Sequence, residues 1–408
     1  MATYLLLIIY LAFISLGLPD SLLGAAWPVM QSDYGSPLET AGYLFMTIAA
    51  GTIISSLFSG KLLKRYGTGK VTFVSVLMTA CALLGFHYAP SIFWIVVCAI
   101  PLGLGAGAVD AGLNDYVATH YKAHHMSWLH SFWGVGATLG PMIMAQFILG
   151  DHSWRNGYLV IASIQFALVI ILLFTLPLWN KVVNNNSINL KKITEDSKDE
   201  INNVVEEDVK PLQVKGVKLA LVTFLFYCGV EATMGLWGSS FLVNIKGISA
   251  ATAAGWISFY YAGITIGRFI TGIITFKVSN KTLIRMGQTI ALIGAVILVL
   301  PLPETFSLVG FVIVGLGLAP IFPCMLHETP ARFGKTHSQT IMGYQMAVAY
   351  TGTTFMPPLL GFVATRSTIG IFPICMLIFV AIMLISSEKL NSILKKRVSF
   401  KNTSSMTM

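Results

Sequence analysis

GLPDSLLGAAWPVM, Gly17 to Met30, is the stretch on which the fold turns. It closes an apolar run from about residue 4 to residue 30, enough for a bilayer span, which needs roughly 20 largely apolar residues. Yet it carries a carboxyl group, Asp20. An ionised acid in hydrocarbon costs at least about 2.5–3.5 kcal/mol even on insertion scales, so Asp20 requires an explanation. Asp20 and Gly24 recur as Glu231 and Gly235, 211 residues later, inside another apolar run. Gly42 and Gly255, Gly60 and Gly272, and Lys70 and Lys281 keep nearly the same offset. Matched features at a constant distance across three helices mark an internal duplication. Parallel six-helix repeats put a pseudo-axis along the membrane normal and a solute site between the halves near mid-depth.

Composition agrees. An apolar share of 55%, a charged share of 11% and a mean hydropathy of +0.75 exclude a soluble globular domain of 408 residues. The reading is an all-α membrane protein of about twelve spans in two six-helix pseudo-repeats. The first six are expected at 4–30, 38–62, 70–89, 91–118, 128–149 and 155–180. The second six are expected at 217–243, 249–276, 281–300, 304–327, 337–364 and 367–388. No basic segment precedes the first run and it is too long for a signal-peptide core, so it reads as a retained helix. Residues 1–180 and 217–390 form the two bundles. Residues 181–216, rich in Asn, Lys, Asp and Glu, form a flexible cytoplasmic linker, and 391–408 a cytoplasmic tail.

Positive charge is retained on the cytoplasmic side during insertion. With both termini inside, all of the 26 Lys and Arg residues lie in inner segments except Arg155, Lys246 and Arg366 outside and Arg268 within a span. The net charge of +9 is thus a topology signal and not a nucleic-acid footprint. The five cysteines are scattered in apolar runs without metal-ligand or disulfide spacing. No metal or cofactor is expected. No phosphate-binding Gly loop and no nucleophile–base pairing is present, which argues against ATP-driven transport and against an enzyme.

Within this frame the loop GKLLKRYGTGK, Gly60 to Lys70, resembles the signature loop of the major facilitator superfamily, and SWRNGY, Ser153 to Tyr158, resembles its usual entry to helix six. Lys64 departs from the signature, which has an acid there. GLPDSLLGAAWPVM and GLGAGAVDAGLNDYVA, Gly103 to Ala118, resemble helices one and four of the fucose:proton symporter family of sugar carriers. That resemblance implies proton coupling and sugar recognition at acids in helices one and four, here Asp20 and Asp110. Asp110 replaces the family's Glu, one methylene shorter, which leaves the substrate open.

Desolvation raises a carboxyl pKa, so an acid whose surroundings alternate between dry and wet can take up and release a proton near neutrality. The ion-coupling candidates are Asp20, Asp110 and Glu231. Asp20 shares a helical face with Gly17, Gly24 and Trp27, a carboxyl beside an indole that suits a sugar, and the competing reading pairs Asp20 with Arg268 or a backbone donor. Asp110 and Asn114 stand one turn apart, and Glu231 with Trp237 forms a second-half counterpart, though a hydrogen bond across the halves would also explain it. Arg268 reads as structural, near the inner end of helix eight or paired with an acid. Trp27, Asn114, Trp133, Trp237, Gln288, Tyr344 and Gln345 are the substrate-binding candidates, since amides and aromatics suit a polyol better than a lipophilic drug.

The leading expectation is a proton-coupled symporter for a monosaccharide or similar small polar solute, multi-pass in the plasma or inner membrane and monomeric, with sodium coupling left open. The rival is a proton-driven exporter of drugs or metabolites, motivated by Gly136, Gly140 and Pro141, whose GxxxGP core resembles an antiporter signature but can equally serve close packing. A non-transporting receptor of carrier fold is a third class without specific support.

Overall fold

A computed structural model describes residues 2–121, 123–149, 153–194 and 211–405. Twelve helices among them are long and apolar enough to cross a membrane. They are α1 Thr3–Tyr34, α2 Thr40–Tyr66, α3 Thr68–Tyr88, α4 Ile92–Val117, α5 Trp128–Leu149 and α6 Trp154–Trp179. In the second half they are α7 Val217–Asn244, α8 Ala250–Ile274, α9 Asn280–Val299, α10 Glu304–Phe333, α11 Thr340–Arg366 and α12 Ile369–Lys395. Helical backbone continues beyond α6 to Thr194 and beyond α12 to Ser405, into segments that the sequence marks as linker and tail. Residues 195–210 of the expected linker and 406–408 of the expected tail lie outside the described residues.

The duplication is visible in the packing. α2 packs on α4 as α8 packs on α10, α1 on α5 as α7 on α11, and α3 on α6 as α9 on α12. Between the halves, α5 meets α8, α2 meets α11 and α1 meets α7. Glycine permits the closest approaches: a Cβ on Gly24 would run into the Gly235 carbonyl, so the matched glycines bring α1 and α7 into backbone contact. The Gly136 and Gly140 pair does the same inside the first half, where added Cβ atoms would strike the carbonyl oxygens of Ile14 and Leu18. Close packing of α5 on α1 therefore accounts for the GxxxGP core.

α1 is not continuous. It is built from Ala2–Asp20 and Leu22–Tyr34, with the discontinuity at Ser21. Pro19 is the local cause, because it has no N–H to give to the carbonyl of Ser15 four residues back. In hydrocarbon such a carbonyl must find another donor. Gln165 of α6 provides it, donating from Nε2 to Ser15 O at 2.9 Å, while its Oε1 accepts from the Thr79 hydroxyl at 2.5 Å. Gln165 is buried, 1% exposed. The last residue before the break is Asp20, so α3 and α6 buttress the kink that presents this carboxyl to the interior.

Gln165→Leu keeps the volume but strands the Ser15 carbonyl, while the Thr79 hydroxyl falls back on the Val76 carbonyl alone. Thermal unfolding in detergent should show a loss of about 1–3 kcal/mol, and an unchanged midpoint would reject this role.

Candidate functional site

The halves enclose a cavity of about 300 Å³. The first half contributes Pro19, Asp20, Leu23 and Gly24 from α1, Phe45, Ile48, Ala49 and Thr52 from α2, Leu102 and Ala106 from α4, and Trp133 from α5. The second contributes Cys228, Glu231, Ala232, Gly235 and Leu236 from α7, Tyr261 from α8, and Tyr350, Thr353 and Thr354 from α11. Both matched pairs of the repeat, Asp20 with Glu231 and Gly24 with Gly235, thus line one space. The walls are largely apolar, with hydroxyls and two carboxyls set into them, the usual composition of a small-molecule site.

The charged groups form a chain across the halves. Asp20 is exposed to the cavity and its Oδ2 accepts a hydrogen bond from the Trp133 indole N–H at 2.8 Å. The Arg268 guanidinium stands over the same indole, 5.3 Å from the ring centroid. Arg268 Nη2 lies 3.3 Å from Glu231 Oε1 and 3.5 Å from the Tyr227 hydroxyl, while Tyr260 donates to the Glu231 backbone carbonyl at 3.2 Å. The pair is well buried, with side-chain exposures of 13% and 19%. Arg268 therefore neutralises Glu231, and Asp20 keeps only a neutral donor. Arg268 is paired with an acid, as one of the sequence readings has it, but it belongs to the cavity region, because its guanidinium packs on a cavity-lining ring.

The other sequence candidates are placed less uniformly. Asp110 and Asn114 do come together, Nδ2 donating to Oδ1 at 2.9 Å and to the Asp110 carbonyl at 2.9 Å. Neither lines the cavity, and Asn114 spends its amide on Asp110. Asp110 remains close enough to interact electrostatically with Asp20 and Tyr350. Trp27 is fully buried in the core, its indole N–H without a partner among the described residues, so it does not reach the cavity beside Asp20. Trp237 is also fully buried and donates to the Pro357 carbonyl at 2.7 Å, tying α7 to α11. Gln288 is buried in α9, where both amide atoms lack partners among the described residues. Gln345 accepts from the Thr329 hydroxyl at 2.9 Å and holds α10 to α11, and Tyr344 lies outside the lining. Of the substrate-binding candidates, Trp133 alone faces this cavity. Helical spacing puts the others on plausible faces, but in a bundle the face toward a neighbouring helix and the face toward a cavity differ by less than that spacing resolves.

Thr52, Tyr261, Thr353, Thr354 and Cys228 are cavity residues that sequence reasoning passes over. For Tyr261 a signal exists. The offset relating Gly42 to Gly255 carries Tyr261 back to Ile48, and both line the cavity. Among the described residues no cluster of three or more His, Cys, Asp or Glu side chains is placed to hold a metal, and all five cysteines are free thiols.

Comparison with known proteins agrees with this architecture. The family model described as Major Facilitator Superfamily matches residues 9–327 and 219–402. The chain belongs to the major facilitator superfamily. Similar members include Bypass of stop codon protein 6 of Saccharomyces cerevisiae, 24% identical over 92% of this chain and 80% of that protein. The glucose/mannose transporter of Bacillus subtilis is 21% identical over 91% and 92%, and the cis,cis-muconate transport protein of Acinetobacter baylyi is 22% identical over 89% and 87%. Among solved structures, a D-xylose–proton symporter superposes with a TM-score of 0.72 at 13% identity, covering 95% of this chain and 96% of that one. A bacterial homolog of the human lysosomal transporter Spinster gives 0.69 at 13% identity, covering 97% of each. The chain is a multi-pass membrane transporter of this superfamily, not an enzyme.

Glu231→Gln leaves Arg268 buried without its counter-ion. It should destabilise the protein by about 3–5 kcal/mol, and adding Arg268→Gln should restore part of that loss in thermal unfolding. Equal melting of both variants and wild type would show that the pair is not formed.

Proposed function

We propose that this chain is a secondary active symporter that carries a monosaccharide or similar small polyol together with a proton by alternating access. The observation that carries the reading is the cavity between the halves, with one carboxylate free of a counter-ion among the described residues, Asp20, facing hydroxyls of Thr52, Tyr261, Tyr350, Thr353 and Thr354. Carboxylate and hydroxyl groups match the hydroxyls of a polyol, and the rings of Trp133 and Tyr261 match its CH faces. The cavity of about 300 Å³ lies at the lower end of the small-molecule range, about 300–1,000 Å³, which favours one sugar ring over a large drug.

Charge separates the substrates named for the relatives. A dicarboxylate, such as the one named for the Acinetobacter relative, would face Asp20 with the nearby guanidinium of Arg268 already paired to Glu231. A neutral sugar, as named for the Bacillus relative, meets no such repulsion. Asp20 is the coupling carboxyl on this reading, because its cavity alternates between wet and closed as the halves rock and its protonation must follow. Asp110, outside the lining, acts on the same charge through space, and Glu231 holds Arg268.

On this reading the protein lies in the plasma or inner membrane, and the distribution of basic residues supports cytoplasmic termini. In that orientation the end tied by Glu39 and Arg366, whose side chains lie 3.2 Å apart, faces outside. Gly42 against Pro358 and the Glu39 backbone N–H donating to the Thr365 hydroxyl at 3.2 Å reinforce the closure. Residues 1–180 and 217–390 are then the two rocking bodies, and this structure is the form shut to the outside. A second reading, proton-driven export of lipophilic compounds, draws on the apolar walls contributed by Leu23, Phe45, Ile48, Leu102 and Leu236.

In proteoliposomes under an imposed pH gradient, a panel of labelled sugars should identify one that accumulates. Asp20→Asn should abolish accumulation while exchange of internal for external sugar persists. Unchanged accumulation would remove Asp20 from coupling, and gradient-driven efflux of dyes with no sugar uptake would replace the symporter reading by the exporter.

A further inference from the structure

Trp133 makes contacts that its place in the cavity lining does not by itself require. It sits on α5, in the first half, and its N–H is donated to Asp20 of α1 in the same half. The face of the same ring carries the guanidinium of Arg268, on α8 of the opposite half, which is paired in turn with Glu231 of α7. Neighbouring contacts on this α5–α8 seam are neutral: Ser258 donates to the Thr138 carbonyl at 2.7 Å, the Thr138 and Thr265 hydroxyls are 3.4 Å apart, and Gly134 abuts Thr265. Among the described residues the indole is therefore the one place on the seam where the acid of one half and the cation of the other share a side chain.

We propose that Trp133 is a positioning residue that couples the charge on Asp20 to the Arg268–Glu231 pair, and through it to the contact between the halves. The proposal rests on the reading of Asp20 as the coupling carboxyl. With Asp20 ionised, the indole N–H makes a charge-assisted hydrogen bond, about twice as strong as a neutral one, and this bond fixes the plane of the ring. A fixed plane gives Arg268 an aromatic face to rest on. A proton on Asp20 removes the charge from the acceptor, the ring loses its anchor, and Arg268 keeps only its second-half partners. The seam between the halves is then weakened at its charged contact. One proton thereby biases the two-state element on which alternating access depends, which is the physical requirement for coupling.

The other charged and titratable groups around this chain are compatible with that assignment. Asp110 on α4 and Tyr261 on α8 act on Asp20 through space. His130 on α5 and Arg268 interact through space, Tyr227 and Tyr260 flank the Glu231 end, and Asp110 acts through space on Tyr350 of α11. None of them bridges Asp20 to Arg268 as the indole does.

The test needs no substrate. In a cysteine-free, full-length protein in lipid nanodiscs, spin labels at Tyr66, exposed at the end of α2, and Phe276, exposed in the turn after α8, report the separation of the halves by pulsed electron resonance. The distance distribution should shift between alkaline and acidic buffer, and Asp20→Asn should hold it in the acidic form. Trp133→Phe keeps an aromatic face without the N–H, and Trp133→Gln keeps an N–H without the face. The coupling role requires that both lose the pH-dependent shift. A shift retained in Trp133→Phe would reduce the indole to packing, and one retained in Trp133→Gln would reduce it to a partner of Asp20 alone. Either result overturns the proposal, and each variant is decisive if the other does not fold. Absence of any shift in the parent protein also overturns it. If no sugar is transported but the shift is present and lost in both variants, the polyol reading falls and the role of Trp133 stands.

Discussion

A bilayer offers no water to a freed backbone group, so every carbonyl that loses its helical partner must be met by another part of the protein. Pro19 frees the carbonyl of Ser15, and Gln165 reaches across from α6 to hold it. That exchange makes the break in α1 tolerable, and the break sets Asp20 at the margin of the interhelical cavity. The placement of the carboxyl beside the cavity follows from one missing N–H and one amide that replaces it. An unbroken α1 would keep the local backbone satisfied without Gln165 and would remove the structural reason for the kink beside the acid.

The same rule governs charge. The cavity region holds two carboxylates and one guanidinium, and these are not shared equally. Arg268 pairs with Glu231 and so turns an acid of the second half into part of a neutral unit. Asp20 receives only an indole N–H, a donor that favours the ionised acid without cancelling its charge. The repeat supplied two equivalent acids, and a single arginine on α8 made them inequivalent. One became a fixed anchor and the other remained free to respond to its surroundings. A symmetric arrangement with both acids neutralised would leave the cavity without an unpaired carboxyl.

Most of the fold is legible in the sequence, because the strongest constraint on a membrane protein, the match of apolar stretches to the bilayer, is one-dimensional. Twelve apolar runs and a recurring acid–glycine pair give the number of spans and the duplication without knowledge of any contact. The site is legible only in part. Asp20 and Glu231 are visible because charge in an apolar run is conspicuous, and both do line the cavity. Trp27, Trp237 and Gln288 look equally suited on residue type, yet each is buried against neighbouring helices. A helix in a bundle has several inward faces, and the rotation that decides between them depends on tertiary contacts such as Gly24 against Gly235. Tyr261 and Thr353 escape notice for the opposite reason: a tyrosine or threonine in a span is cheap enough to need no explanation.

Arg268 shows what that ambiguity costs in mechanism. As a single cation within a span it reads as a structural residue near a membrane face, where a long side chain reaches the headgroups. The structure gives it an acid, a tyrosine hydroxyl and an aromatic face contributed by the other half. A snorkelling arginine would be held by solvent and would be indifferent to the relative position of the halves. If the halves rock as proposed, an arginine seated on Trp133 is held by a surface that moves away. Its energy would then differ between the two access states of that proposal, and such a difference is the property a residue needs in order to take part in coupling.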